Sequence, residues 1–315
     1  MKGIESRIMS IVVAGLIVGS GCATGTRPER AAGAVEIIAH RGASAYAPEN
    51  TLAAFRLAIE MNADWFELDC TLTKDDEAIV IHDDEIERTT GVKARVEDLT
   101  LAELKALEAG AWFDPQFAGE PIPTLAEALE LARGRIGVYV EIKNSADDTA
   151  LIAQVLRTAA GHETMTLDLQ MTLMGLVAKS GTRNLALTRQ VIREIRAQGM
   201  QSQVTIQSFS PVICLIAVSE APELRTELLT IDEEEDPDRW PRSVWFSRLI
   251  GAKGVNARHD SWTPERIADF HAHGQTAAVW TVDEPADVKR FASWGVDKII
   301  TNKPDVCRAA LPQAR

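Results

Sequence analysis

The chain has 315 residues, 46% of them hydrophobic and 25% charged, with a formal net charge of −13. That length and apolar share suit one large unit such as an α/β barrel of about 250 residues and exclude a small module. The acidic balance excludes a surface that tracks nucleic-acid phosphates, which needs a concentrated Lys/Arg face.

In chain order, residues 1–22 read apart from the rest. Lys2 and Arg7 precede an apolar stretch, Ile8 to Val18, and Gly19, Ser20 and Gly21 then lead to Cys22. The apolar stretch is too short to span a bilayer and suits the core of a secretory signal. The order resembles a bacterial lipoprotein signal, with Cys22 as the lipidated residue and membrane association through that lipid. Gly19 stands where that signal has Leu, so plain export with cleavage nearby stays open. The expected location is outside the cytoplasm, in the periplasm or anchored to the bacterial envelope. Residues 23–34 read as a linker, and 35–310 as one domain.

From Glu36 onward, short β-branched runs alternate with helical patterns, as in repeated βα units around a parallel sheet. Eight strands are expected: Glu36 to His40, Trp65 to Cys70, Gly137 to Lys143, Gln203 to Ser208, Leu224 to Thr230, Gly254 to Ala257, Ala277 to Val282 and Lys298 to Thr301. Eight strands with intervening helices predict a closed (β/α)8 TIM barrel, with functional residues at the C-terminal strand ends. A further run, Ala78 to His82, follows the second strand after only "TKDDE". That is too short for a parallel crossover and predicts a hairpin that brings His82 near Asp69.

Residues 83–123 lack a βα repeat and read as a small insertion able to wall one side of the mouth. The stretch Ala159 to Gly199 is long for one connection and predicts an extra helix around Gln170 to Lys179. Cys70 and Cys214 sit in apolar runs and read as small buried hydrophobes, and no cysteine spacing matches a zinc site. His162, His259, His271 and His273 read as surface histidines. "DEEED", Asp232 to Asp236, lacks the spaced oxygens and turn Gly of a calcium loop and reads as a solvated loop. Trp240, Trp245 and Phe246 could form an apolar lip at the mouth, or simply pack.

The strand ends carry the chemistry. The first gives His40 and Arg41, the second Glu67 and Asp69, the third Glu141 and Lys143, and the hairpin returns His82. Glu67 and Asp69 alternate, so both share one strand face, opposite Phe66 and Leu68. Alone, the Glu67/Asp69 or the Glu141/Lys143 pair would more often read as a solvent face; turned into a barrel, charge at a strand end is costly without a ligand or partner. Three clustered carboxylates need a cation between them, and an all-oxygen set suits Mg2+ or Ca2+ in preference to zinc. Arg41 and Lys143 beside it suit a phosphate, and two histidines can divide base and acid duties. Phosphoryl transfer is the implied reaction class.

"AHRGASAYAPENTLAAF" (Ala39 to Phe55), "FELDCTLTKDDEAIVIHDDEIERTT" (Phe66 to Thr90), "IPTLAEAL" (Ile122 to Leu129), "VEIK" (Val140 to Lys143), "QSF" (Gln207 to Phe209), "VWTVD" (Val279 to Asp283) and "GVDKIITNKP" (Gly295 to Pro304) resemble the glycerophosphodiester phosphodiesterase family. The resemblance implies a metal-dependent TIM barrel that hydrolyses glycerophosphodiesters to glycerol 3-phosphate and an alcohol through a cyclic phosphate. It implies His40 and His82 as the acid/base pair, Glu67, Asp69 and Glu141 as metal ligands, and Arg41 and Lys143 on the phosphate. Glu49 and Asn50 belong to the same pattern, Asn50 hydrogen-bonding the catalytic layer and Glu49 fixing the loop, while Trp280 would line the glycerol pocket. Gly42 would let the backbone approach the phosphate, and Thr51 would start the first helix. The chain departs from the pattern at "KDDE", at Asp283, where Asn is frequent, and at Asn302, where Asp is frequent. Two alternatives stay open: a lysophospholipase D using the Trp245/Phe246 region, and a catalytically inactive glycerophosphodiester-binding barrel.

Overall fold

The computed structural model describes residues 34–312. Nine strands form one sheet: β1 (Glu36–Ala39), β2 (Trp65–Leu72), β3 (Ala78–Val80), β4 (Gly137–Ile142), β5 (Val204–Ser208), β6 (Arg225–Thr230), β7 (Gly254–Arg258), β8 (Thr276–Trp280) and β9 (Lys298–Thr301). Eight of them pair in parallel in the order β1-β9-β8-β7-β6-β5-β4-β2, and a β1–β2 pairing closes the barrel. The ninth, β3, runs antiparallel to β2 with Cys70 opposite Val80, so the short "TKDDE" link makes the expected hairpin. Strand ends differ from the sequence reading by one to two residues, and His40 and Lys143 lie just past β1 and β4.

Among the described residues the α-helices are α1 (Leu52–Glu60), α2 (Glu87–Thr90), α3 (Leu101–Lys105), α4 (Leu125–Ala132), α5 (Thr149–Ala159), α6 (Leu167–Ser180), α7 (Arg183–Ala197), α8 (Pro211–Glu220), α9 (Arg239–Leu249), α10 (Pro264–Ala272), α11 (Pro285–Trp294) and α12 (Pro304–Ala310). Their starts obey capping chemistry: the Thr51 hydroxyl accepts from the Ala54 N–H, and Thr100 and Thr124 form capping boxes with Glu103 and Glu127. The long 159–199 connection holds α6 and then α7, so the single helix expected near Gln170 is one of two.

Side chains alternate across each strand. Phe66, Leu68 and Cys70 pack outward with Phe55 and Ala58 of α1 and with Leu125, Ala128 and Leu129 of α4. Ile38, Trp65, Tyr139 and Ile300 pack together inside the barrel. Gly137 has no alternative there, because a Cβ would lie 2.0 Å from the Trp65 ring. Below the mouth, Lys298 and Glu227 form a buried ion pair at 2.5 Å, with the Tyr139 hydroxyl donating to Glu227. Pairing of that kind is the condition for keeping charge in a barrel core.

Residues 83–123 build α2, α3 and a small core of their own, in which Ile86, Val96, Leu104, Ala109 and Ile122 pack on Ile79 and Ile81 of the hairpin arm. Cys70, Cys214 and Cys307 are buried free thiols. The acidic loop is pinned by arginines, Glu233 to Arg239, Asp236 to Arg242 and Asp232 to Arg266. Trp240 and Phe246 are buried between outer helices, Trp240 edge-on to Trp262, and the Trp245 indole donates to the carbonyl of His162. Ordinary packing therefore accounts for these residues, and the apolar lip at the mouth is withdrawn. The signal-like residues 1–22 lie outside the described residues, and among those described no helix is long and apolar enough to cross a membrane.

Candidate active site

The mouth is assembled by register. Asp69 on β2 pairs with Glu141 on β4, which pairs with Gln207 on β5, so their inward side chains share one level. Glu67 lies two residues below Asp69, and one carboxylate oxygen from each of Glu67, Asp69 and Glu141 comes within 4.8 Å of the others. His40, Arg41, Glu67, His82, Glu141, Lys143, Gln207, Phe209, Leu229, Trp280 and Ile300 line a cavity of about 250 Å3. One wall is polar and ionic; Phe209, Leu229, Trp280 and Ile300 make the other apolar.

Arg41 and Asn50 both hold positive φ, +54° and +57°, a conformation uncommon outside glycine and frequent at functional sites. The bend at Arg41 turns its backbone N–H onto Glu67 Oε2 at 2.8 Å. Its guanidinium reaches Glu49 Oε1 at 2.9 Å and Asp69 Oδ2 at 3.3 Å. Asn50 binds Asp69 reciprocally: its Nδ2 donates to Oδ2 at 2.8 Å, and its Oδ1 accepts from the Asp69 N–H. Lys143 Nζ lies 3.1 Å from Glu141 Oε1 and 3.6 Å from Asp69 Oδ1.

Gly42 has a packing requirement of its own. At φ +82° its missing Cβ would sit 2.6 Å from Ala54 Cβ, so the glycine lets the β1 turn close onto α1. Close packing of the turn on α1 is what the geometry shows the position to require.

The carboxylates repel one another. Burial and then the neighbouring Asp69 push Glu141 up from 4.5 to about 7. Burial, Asp69 and Glu141 push Glu67 well above the ordinary range. Asp69 is held low: burial pushes it up, but Lys143 and Arg41 outweigh that. Three buried oxygen donors with this mutual strain fit a hard divalent cation, whose charge would relieve it.

The two histidines are held differently. His40 Nδ1 lies 2.8 Å from Asn302 Oδ1. The Asn302 amide is oriented by Asp283, which accepts from its Nδ2 and its backbone N–H, both at 2.7 Å, and Ser44 Oγ donates to the same Oδ1. That amide oxygen can only accept, so His40 carries its proton on Nδ1 and presents a lone pair at Nε2. Burial and then Arg41 lower the His40 pKa below its ordinary 6.5. His82 Nδ1 instead faces a carboxylate, Asp83 Oδ1, at 2.7 Å.

Of the expected site residues, His40, Arg41, Glu67, His82, Glu141, Lys143 and Trp280 line the cavity, while Asp69 completes the carboxylate group behind it and Asn50 is bonded to Asp69. Trp280 lines the apolar wall, edge-on to Phe209 with centroids 5.7 Å apart. Sequence reasoning gave no site role to Phe209, Gln207, Leu229, Ile300, Ser44, Asp83 or Arg88; Gln207, Leu229 and Ile300 share the inward alternation of their strands, and Phe209 continues it just past β5. A second, polar groove of about 350 Å3, lined by Thr71, Asp84, Arg95, Glu97, Asn144 and Arg183 among others, contains none of the histidines or the carboxylate triad. Its arginines are already paired, Arg95 and Arg183 both with Glu97.

A barrel that aims two fixed cations and a pair of oriented imidazoles into one cavity is of the phosphodiester hydrolase class. The model of the glycerophosphoryl diester phosphodiesterase family matches residues 40–306. A glycerophosphodiester phosphodiesterase of Caldanaerobacter subterraneus subsp. tengcongensis is 33% identical over 271 residues, 85% of this chain and 94% of that one. The fold matches a glycerophosphodiester phosphodiesterase from Agrobacterium tumefaciens at TM-score 0.65 and 28% identity, covering 87% and 99% of the two chains. It also matches an Oleispira antarctica phosphodiesterase solved with the product sn-glycerol-3-phosphate, at TM-score 0.69 and 23% identity over 88% and 96%. The chain belongs to the glycerophosphodiester phosphodiesterase family and is an enzyme of that family's type.

Proposed function

We propose that the enzyme hydrolyses small glycerophosphodiesters to glycerol 3-phosphate and an alcohol in two steps, with His40 as base and His82 as acid. The observation that carries this is the contrast in hydrogen bonding at the two rings. His40 presents a free Nε2 because an amide oxygen fixes the proton on Nδ1, whereas the Nδ1 of His82 faces the carboxylate of Asp83.

In the first step His40 Nε2 takes the proton of the glycerol hydroxyl next to the phosphoester as that oxygen attacks phosphorus. His82 protonates the departing alcohol oxygen, leaving a five-membered cyclic phosphate. In the second step His82, now neutral, takes a proton from water as it attacks phosphorus. His40 returns its proton to the ring oxygen that leaves, which restores both histidines. Arg41 and Lys143 hold the non-bridging oxygens. Glu67, Asp69 and Glu141 would hold Mg2+ or Ca2+, which when bound polarises the phosphoryl oxygens. Trp280 and Phe209 give the glycerol carbons an apolar wall.

The cavity of about 250 Å3 suits a glycerol phosphate better than an acylated one, and the apolar residues once assigned to an acyl chain are packed elsewhere. Export, with or without a lipid on Cys22, would place the enzyme among diesters released from envelope lipids. The test is release of glycerol 3-phosphate from glycerophosphocholine and glycerophosphoethanolamine, and of acylglycerol 3-phosphate and choline from lysophosphatidylcholine, by purified protein with Mg2+, Ca2+ or chelator. Activity confined to lysophosphatidylcholine would establish the lysophospholipase reading, and binding without turnover the inactive-barrel reading. Fractionation of expressing cells tests the location.

A further inference from the structure

Between the two halves of the site lies a charged side chain that touches neither the cavity nor the carboxylate triad. Arg88, on α2 in the insertion, donates from Nε to Asp83 Oδ2 at 2.6 Å. From its two terminal nitrogens it donates to Glu49, to Oε2 at 3.0 Å and to Oε1 at 2.7 Å. Each of those carboxylates is shared with a site residue. Asp83 gives its other oxygen to His82 Nδ1, and Glu49 Oε1 also accepts from Arg41 at 2.9 Å.

The result is one unbroken chain, Arg41–Glu49–Arg88–Asp83–His82, joining the residue that grips the anion to the residue that handles a proton. We propose that Arg88 is a positioning residue for the reaction, fixing the His82 ring through Asp83 and the Arg41 guanidinium through Glu49. This inference rests on the catalytic reading above.

The chemistry of the fork supports it. Guanidinium offers several donors at fixed angles in one plane, so three bonds to two carboxylates set the carboxylates' relative orientation; an ammonium cannot. Arg88 is itself held on both sides. Ile86, which precedes α2, and Thr89 on it are buried, and the Trp112 ring of the same insertion lies 5.4 Å from its guanidinium carbon. Glu49 is kept ionised for the purpose, since burial raises it but the Arg88 and Arg41 contacts outweigh that. With 43% of its side chain exposed, Arg88 contributes little to holding the fold. Its loss should therefore register in kinetics before it registers in melting.

The experiment compares wild type, Arg88→Gln, Arg88→Lys, Asp83→Asn, Glu49→Gln and the doubles Arg88→Gln/Asp83→Asn and Arg88→Gln/Glu49→Gln, with glycerophosphocholine as substrate. Arg88→Gln should lower kcat by about 10²-fold, the scale of a misplacement of about 1 Å, and raise KM several-fold. Asp83→Asn should reproduce the kcat loss and Glu49→Gln the KM rise. Each double should be no worse in its own parameter than the worse single, because both members act along one path. Arg88→Lys should rescue neither.

Wild-type kinetics in Arg88→Gln, or losses that multiply in the doubles, would overturn the proposal. Should Arg88→Gln melt well below wild type, Asp83→Asn and Glu49→Gln keep the arginine and carry the same split. Nitrogen NMR of the His82 ring reads the positioning without turnover: one Nδ1-protonated state in wild type, a mixture in Arg88→Gln, and an unchanged ring as the refuting result. If the wild type releases no glycerol 3-phosphate, the catalytic reading falls, and the ring measurement alone decides this one.

Discussion

Replacing Glu141 by Gln should make the metal-free enzyme more stable and the enzyme inactive. Glu141 rises from 4.5 in the unfolded chain to about 7 in the folded one, through burial and the neighbouring Asp69. Between those values the folded state holds a proton that the unfolded state has released. Its stabilising contribution is therefore full below pH 4.5 and is lost as pH rises through about 7. At 1.36 kcal/mol per unit that loss is about 3 kcal/mol by pH 8. A neutral amide of the same shape does not titrate, and its oxygen can still accept from Lys143. In chelator at pH 8, Glu141→Gln should exceed wild type by up to about 3 kcal/mol, or about 6–12 °C in Tm for a chain of this size. At pH 4.5 the two should coincide. Mg2+ or Ca2+ should raise the wild-type Tm at pH 8 by binding only the folded state, and should raise that of Glu141→Gln far less. Melting curves in denaturant or heat over pH 4.5–8, with chelator or added cation, make the measurement. A variant less stable than wild type in chelator at pH 8, or a wild-type Tm indifferent to both cations, would refute the reasoning.

Three more outcomes follow from the site. His82→Ala should lower kcat on glycerophosphocholine by about 10²–10⁴-fold but cost far less with a p-nitrophenyl leaving group, which departs unprotonated; equal losses would reject the acid role. Asn302→Ala removes a hydrogen bond worth about 1 kcal/mol and with it the lock on the His40 ring. Because that bond raises a pKa already lowered by burial and Arg41, the acidic limb of kcat/KM should move to lower pH, and a move upward would reject His40 as the base. Gly42→Ala should destabilise the fold by about 2 kcal/mol or more, since it combines positive φ with a contact 2.6 Å from Ala54 Cβ. Denaturant unfolding with an unchanged midpoint would contradict it.

The barrel and the core of its site were legible because they are written in alternation. Glu67 and Asp69 share a strand face with Trp65, and Phe66, Leu68 and Cys70 share the other, so one strand carries both the fold's pattern and the site's charge. What the sequence concealed is contact that depends on chain reversal. Arg88 meets Glu49 across 39 positions through an insertion whose short helices and turns follow no strong period. Gly42 reads as a glycine beside an anion, and its packing on Ala54 of α1 shows only once the turn is folded. Trp240, Trp245 and Phe246 read as a lip because they follow an exposed acidic loop, yet α9 turns Trp240 and Phe246 into the outer core. The helix α6 is apolar on more than one side, with Leu167 and Met171 exposed, which blurs the periodicity that would have marked its limits.

Two histidines at one mouth are chemically equal in sequence, and their surroundings make them unequal. An acceptor-only amide oxygen lies against His40, and the carboxylate of Asp283 sits one hydrogen bond farther out. A carboxylate lies directly against His82, and the cation of Arg88 sits one hydrogen bond farther out. The two rings therefore meet different partners, a neutral acceptor at His40 and an anion at His82, and burial and then Arg41 favour the neutral ring at His40. At Asp283 and Asn302 the chain carries the carboxylate and amide in the reverse of the resembled family's frequent order. The contacts show that the exchange is matched, because the amide still reaches His40 and the carboxylate still orients the amide. Restoring the frequent order with Asp283→Asn and Asn302→Asp together would put a carboxylate on His40 Nδ1. It should move the acidic limb of kcat/KM to higher pH, the opposite of Asn302→Ala. Shifts of the same sign in both variants would show that the partner of the His40 ring does not set its role.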